Sequence, residues 1–239
     1  LHVTDRVSAQ RNLSGITQNE GDVFLGDDIS VKGNATLQAD IGDIVASGTL
    51  RAGKNVEVKT QQGNIISGSV TAGNNVTATN GNGVTRANSF TAGNRITVIN
   101  GDGQIDIGTA ESISASFANG GANGIVKVDT VKLEARGNAN GTGADDLYLG
   151  GSNVAAGTVV NKVGRVPLTI STQGATKSQP MKDFNIGTRN AVGSYSGGIS
   201  STSGAVIQQL WTDKGLIYMN GDSNLHVSKL VVNDKDRKS

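Results

Sequence analysis

The chain has no cysteine among its 239 residues. Disulfides therefore contribute nothing, and packing and hydrogen bonding must hold the fold. Prolines number two, Pro167 and Pro180, which excludes collagen-like and proline-rich linker architectures despite 34 glycines. Aromatic residues make up 3% of the chain, and no basic run is interleaved with them. That composition argues against a nucleic-acid reader built on stacking and phosphate contacts. The net charge is +1, from 21 basic and 20 acidic residues, so no bulk field steers the chain to an anionic partner. No apolar stretch approaches the roughly 20 residues that span a bilayer, so membrane insertion is not expected. The chain opens on Leu1 and shows no secretory leader, and it is read as a piece of a longer protein.

What the sequence does have is a period. Gly33, Gly53, Gly73 and Gly93 fall 20 residues apart, and Gly63, Gly83 and Gly103 keep the same interval. Residues 50–69 read LRAGKNVEVKTQQGNIISGS, residues 70–89 VTAGNNVTATNGNGVTRANS, and residues 90–109 FTAGNRITVINGDGQIDIGT. A fixed period of this size marks a solenoid, whose units bury their apolar sides only by stacking.

Within each unit, apolar residues alternate with polar ones. Val56 and Val58 flank Glu57, Val76 and Ala78 flank Thr77, and Ile96 and Val98 flank Thr97. A period of two with β-branched enrichment predicts half-buried strands. A second short strand is predicted at Ile65 and at Ile105 and Ile107. A third is predicted at Leu50, Val70 and Phe90, each followed two residues later by Ala52, Ala72 or Ala92. Equivalent strands in successive units stack in parallel, so Val56, Val76 and Ile96 should form one inward ladder and Leu50, Val70 and Phe90 another. The expected fold is an all-β, single-stranded parallel β-helix with about 20 residues per coil.

Glycines are expected at corners where a side chain would interfere. Asn74, Asn94, Asn80 and Asn100 are assigned to the same corners, because asparagine tolerates left-handed backbone. Residues 1–160 are read as coils, clearest over 31–109, with residues 31–49 as a 19-residue unit and 13–30 as an imperfect coil. Residues 119–124 and 137–143 are expected as longer loops at one shared corner. Residues 161–204 read as less regular coils with insertions, and 205–239 as terminal coils with a frayed, charged tail.

The texture AGxxVxVxxxxGxIxxG in residues 51–69 and 71–89 resembles the filamentous-haemagglutinin-like exoproteins of diderm bacteria, the adhesins of two-partner secretion. The stretches LTIST and FNIGT, followed by VIQQLWTDKGLIYMNGDSNLHVSKLVVND, resemble them too. The resemblance covers most of the chain and rests on structural motifs that other surface solenoids share. It implies a right-handed β-helix, export through an outer-membrane transporter, an extracellular location, and attachment or biofilm formation through an unidentified surface glycan or protein. It places this piece in the shaft.

Candidate sites were weighed against structural readings. Residues 100–106, NGDGQID, resemble a calcium loop, but an EF-hand wants an acidic first ligand where Asn100 stands, so a structural corner is expected. The acid pairs Asp27–Asp28 and Asp145–Asp146 are the best candidates for carboxylate catalysis. Neighbours in sequence point to opposite sides of a strand, so solvated turn acids are expected. His2 and His226, the only histidines, lie in no metal-ligand spacing. No G-x-S-x-G positions a nucleophilic serine. Trp211, Tyr218 and Tyr148 could stack on a sugar, with packing as the alternative. Ice binding is not expected, because the aligned triplets are VEV, VTA and ITV. No enzyme, metal or cofactor is expected. The alternatives are a carbohydrate-active β-helix (a polysaccharide lyase or depolymerase) with its groove near residues 173–183, and a glycan- or protein-binding module using loops 119–124, 137–146 and 173–204.

Overall fold

A computed structural model describes residues 1–134, 147–161, 168–171, 183–189, 195–201, 205–207, 210–213, 217–219, 225–227 and 230–233. Its pairing is overwhelmingly parallel, and the strands wind into a β-solenoid with roughly 21 residues between coils. Each coil contributes a strand to three faces. On the first face Leu13, Ala35, Val56, Val76, Ile96, Ala115, Leu147, Ile170, Ile207 and Val227 stack in register. On the second, Val23, Ile44, Ile65, Thr85, Ile105, Val126, Val154, Phe184 and Ile217 do so. On the third, Val7, Ile29, Leu50, Val70, Phe90, Ala110, Val131, Val159 and Ile199 do so. All three predicted strands exist, and both predicted ladders are inward columns.

Alternation sends every second side chain into the shared core. Val56, Val76, Ile96, Leu50, Val70 and Phe90 are all buried. The fully buried phenylalanines divide among the faces: Phe117 on the first, Phe184 on the second, Phe90 on the third. In the most regular coils the strand does not break at corners. Asn75–Ala92 and Arg95–Ser112 each wind around all three faces.

Two glycine columns form corners. Gly63, Gly83 and Gly103 have φ of 142°, 141° and 96°, a region that side chains disfavour, and a Cβ there would also meet the glycine carbonyl one coil earlier. Gly53, Gly73 and Gly93 meet the steric limit alone. A Cβ on Gly73 would collide with the Gly53 carbonyl oxygen, and one on Gly93 with that of Gly73.

The four asparagines stand at the glycine corners as expected, Asn74 and Asn94 at the corner from the third face to the first and Asn80 and Asn100 at the corner from the first to the second. Their expected backbone needs correction. None of the four adopts left-handed backbone; among the described residues the only non-glycine with positive φ is Asn19, at 61°. Residues 120–124 join the first face to the second. The loop expected at residues 137–143 lies outside the described residues.

Further along, Asp183–Ile186 and Gly198–Ser201 join the second and third faces. Between them Thr188–Arg189 pairs antiparallel with Tyr195–Ser196, a short ribbon apart from the parallel columns. Leu210–Asp213 and Leu230–Asn233 pair in parallel with each other.

Candidate functional site

The corner from the third face to the first carries a ladder of asparagines. Asn34, Asn55 and Asn75 each donate a backbone N–H to the Oδ1 of the asparagine one coil earlier, at 2.9, 3.2 and 3.2 Å. The Nδ2 groups of Asn55 and Asn75 donate to the same acceptors as their own N–H groups, at 3.1 and 3.3 Å, and Asn94 Nδ2 donates to Asn75 Oδ1 at 3.0 Å. The steps from Asn12 to Asn94 are 22, 21, 20 and 19 residues, so the ladder holds register while coil length drifts. Outside it lies an open cleft of about 880 Å³, lined by Asn55, Thr71, Asn74, Asn75, Thr91 and Asn94 together with Ala52, Ala72, Gly73 and Gly93. No charged side chain lines it.

The next corner turns its amides inward. Asn80, Asn100 and Asn119 are buried, and each Nδ2 donates to the carbonyl of the positive-φ glycine one coil earlier: Gly63 at 3.1 Å, Gly83 at 3.0 Å and Gly103 at 2.7 Å. Thr60 does the same with its hydroxyl to Gly42, at 3.0 Å. Asn100 also donates to the Gln104 carbonyl and accepts from the buried Thr85 hydroxyl at 2.8 Å. These amides satisfy carbonyls that a tight turn leaves without a ladder partner. The sequence signal was a polar residue at a strictly repeated position beside a glycine.

Asp27 and Asp28 both accept backbone N–H groups. Asp27 Oδ1 accepts the Asp28 N–H at 2.7 Å, and Asp28 Oδ1 accepts the Thr49 N–H of the following coil at 2.8 Å. The Thr49 backbone and hydroxyl donors, with help from Arg6 and Arg51, hold the Asp28 carboxyl below its ordinary value. Asp145 and Asp146 lie outside the described residues. In the calcium-like stretch, Asp102 accepts the Gly103 N–H at 2.7 Å and Asp106 pairs with Arg86 at 3.2 Å and Lys127 at 3.5 Å. The two carboxylates therefore serve a corner and an exposed ion-pair row. The Asp129 carboxylate, with Asp106, raises the Lys127 pKa.

His2 is exposed and stacks edge-to-face on Phe24 with centroids 4.5 Å apart. Tyr148 is half-buried on the outer row of the first face, between Ser116 and Ser171. The backbones of Trp211, Tyr218 and His226 pair with Val231, Asn185 and Val206. Among the described residues no group of three or more histidine, aspartate or glutamate side chains could hold a metal ion, and no helix is long and apolar enough to cross a membrane.

No protein-family model matches this chain, and neither a curated protein nor a solved structure does.

Proposed function

We propose that this chain is a non-catalytic shaft segment of a secreted surface filament of diderm bacteria, similar to the filamentous-haemagglutinin-like adhesins and exported through an outer-membrane transporter. It works outside the cell in attachment or biofilm formation, by holding a rigid surface toward a glycan or protein partner.

One observation carries this reading: the corner polar groups bond coil to coil. The amides of Asn55, Asn75, Asn80 and Asn100 bridge neighbouring coils, and the Asp28 carboxylate caps a backbone N–H. Catalysis needs acid, base and substrate-orienting groups converging on one point. Here polar groups repeat along an axis, which is what a load-bearing rod requires.

Solution scattering and an attachment assay test the proposal. The purified chain is expected to scatter as an elongated particle, and beads coated with it to hold to surfaces that bare beads leave. New reducing ends from any acidic or neutral polysaccharide would make the chain an enzyme instead. Coated beads that attach no better than bare ones would remove the adhesive role.

A further inference from the structure

We infer that the cleft beside the asparagine ladder binds a neutral, unbranched polysaccharide lying parallel to the solenoid axis. The inference rests on the adhesive reading and gives it a ligand class.

The cleft selects its ligand partly by what it withholds. Its backbone N–H groups are already engaged: Gly73 donates to Ala52, Asn74 to Lys54, Gly93 to Ala72 and Asn94 to Asn74, at 3.0, 2.7, 3.2 and 2.8 Å. An extended peptide that binds by adding a strand needs a free edge, and this corner has none. No aromatic ring lines it, so a stacking ligand gains nothing, and Arg51, Lys54 and Arg95 border it from neighbouring columns without joining its lining, so an anionic ligand meets no cation inside it. Its lining is too rich in amides and hydroxyls for an apolar ligand.

What remains free are neutral hydrogen-bonding groups. The Asn74 side chain is exposed and makes no hydrogen bond with the described residues. Asn94 Oδ1 stands at the end of the ladder with its acceptor sites open, and Asn55 and Asn75 each keep a second Nδ2 hydrogen. The Thr71 and Thr91 hydroxyls flank them in register on adjacent coils. The Thr–Asn set stands on two adjacent coils, about 4.8 Å apart along the axis, with Arg51 and Lys54 on the coil before and Glu111 on the coil after. A sugar polymer presents hydroxyls at a comparable ring-to-ring repeat, so two successive rings can engage the two coils in the same way.

The test uses the whole chain and a panel of oligosaccharides of increasing length: neutral glucans, mannans and galactans, with uronic and sulfated polymers as comparison. Neutral oligomers are expected to bind and to tighten with length until the cleft is filled. They should shift the backbone NMR signals of Asn74, Thr91 and Asn94 in the unmodified protein. The combined Thr71→Val, Asn74→Ala and Thr91→Val variant should weaken binding by about tenfold or more, while Arg86→Ala on another face leaves it unchanged. All three substitutions lie outside the ladder and the core, and the shifts in unmodified protein stand as a readout should the variant fold poorly. Three results would overturn the proposal: no neutral oligomer binds, the variant binds as well as the parent, or only charged polymers bind and salt releases them. If the variant loses no bead attachment, the cleft is rejected while the adhesive reading stands; if the parent binds neutral oligomers but never attaches, the adhesive reading falls alone.

Discussion

At Asn100 one buried amide donates to two carbonyls and accepts one hydroxyl. Asn100→Ala should strand the Gly83 carbonyl and the Thr85 hydroxyl and cost about 3 kcal/mol, read by chemical denaturation. A double-mutant cycle with Thr85→Val should show clear coupling, because Thr85 would no longer need its partner. Ser67 is the opposite case. It faces inward between Ala46 and Ala87, and its Oγ is buried with no hydrogen-bond partner. The void beside it is about 10 Å³, lined by apolar side chains including Ile65, Val70 and Phe90, which gives a water no second partner. Ser67→Ala is therefore expected to stabilise the protein by about 1 kcal/mol, seen as a higher melting temperature. Asp28 supplies a pH dependence. Its folded pKa is lowered, so its contribution is present above the ordinary carboxylate pKa and disappears as pH falls through the folded value. Asp28→Asn should remove that part of the acid-side loss of stability in melting curves recorded across pH.

At the scale of one corner, the two glycine columns set coil spacing. Gly83→Ala combines a φ of 141° with a collision against the Gly63 carbonyl, and it should cost more than about 2 kcal/mol. The asparagine ladder predicts a gradient along its length. Asn75 both donates to Asn55 and accepts from Asn94, whereas Asn94 has only its bond to Asn75. Asn75→Ala should therefore lower stability more than Asn94→Ala, a ranking that paired melting curves can check.

At the scale of the molecule, each coil contacts chiefly its neighbours, so stability should behave as a sum of coil and interface terms. Hydrogen exchange is expected to be slowest for amides in the central coils around Val76 and Ile96 and to quicken toward the first coil, where Val3, Val7 and Ala9 are only partly buried. Uniform protection from Val3 to Ile96 would refute this one-dimensional picture. The salt bridges among Arg86, Asp106, Lys127 and Asp129 are exposed and should contribute little to it.

Much of this architecture was legible in one dimension. The alternation at Val56–Val58 and Ile96–Val98 reports which side chains face inward, because a strand's two faces are set by adjacent residues. The glycine interval reports coil length, because backbone crowding recurs once per coil. A period, however, says nothing about which corner a polar residue occupies or which way it points. Asn74 and Asn80 read alike in sequence, yet one faces solvent beside an open cleft and the other lies buried against the Gly63 carbonyl. Thr85, silent in the apolar pattern, earns its inward place only through Asn100 on the next coil. Sequence alone determined the strands, their parity and their stacking, since these follow from short-range alternation and repetition. Only the tertiary structure decided the partner of each corner side chain, because those partners lie a full coil away, where contact depends on three-dimensional register.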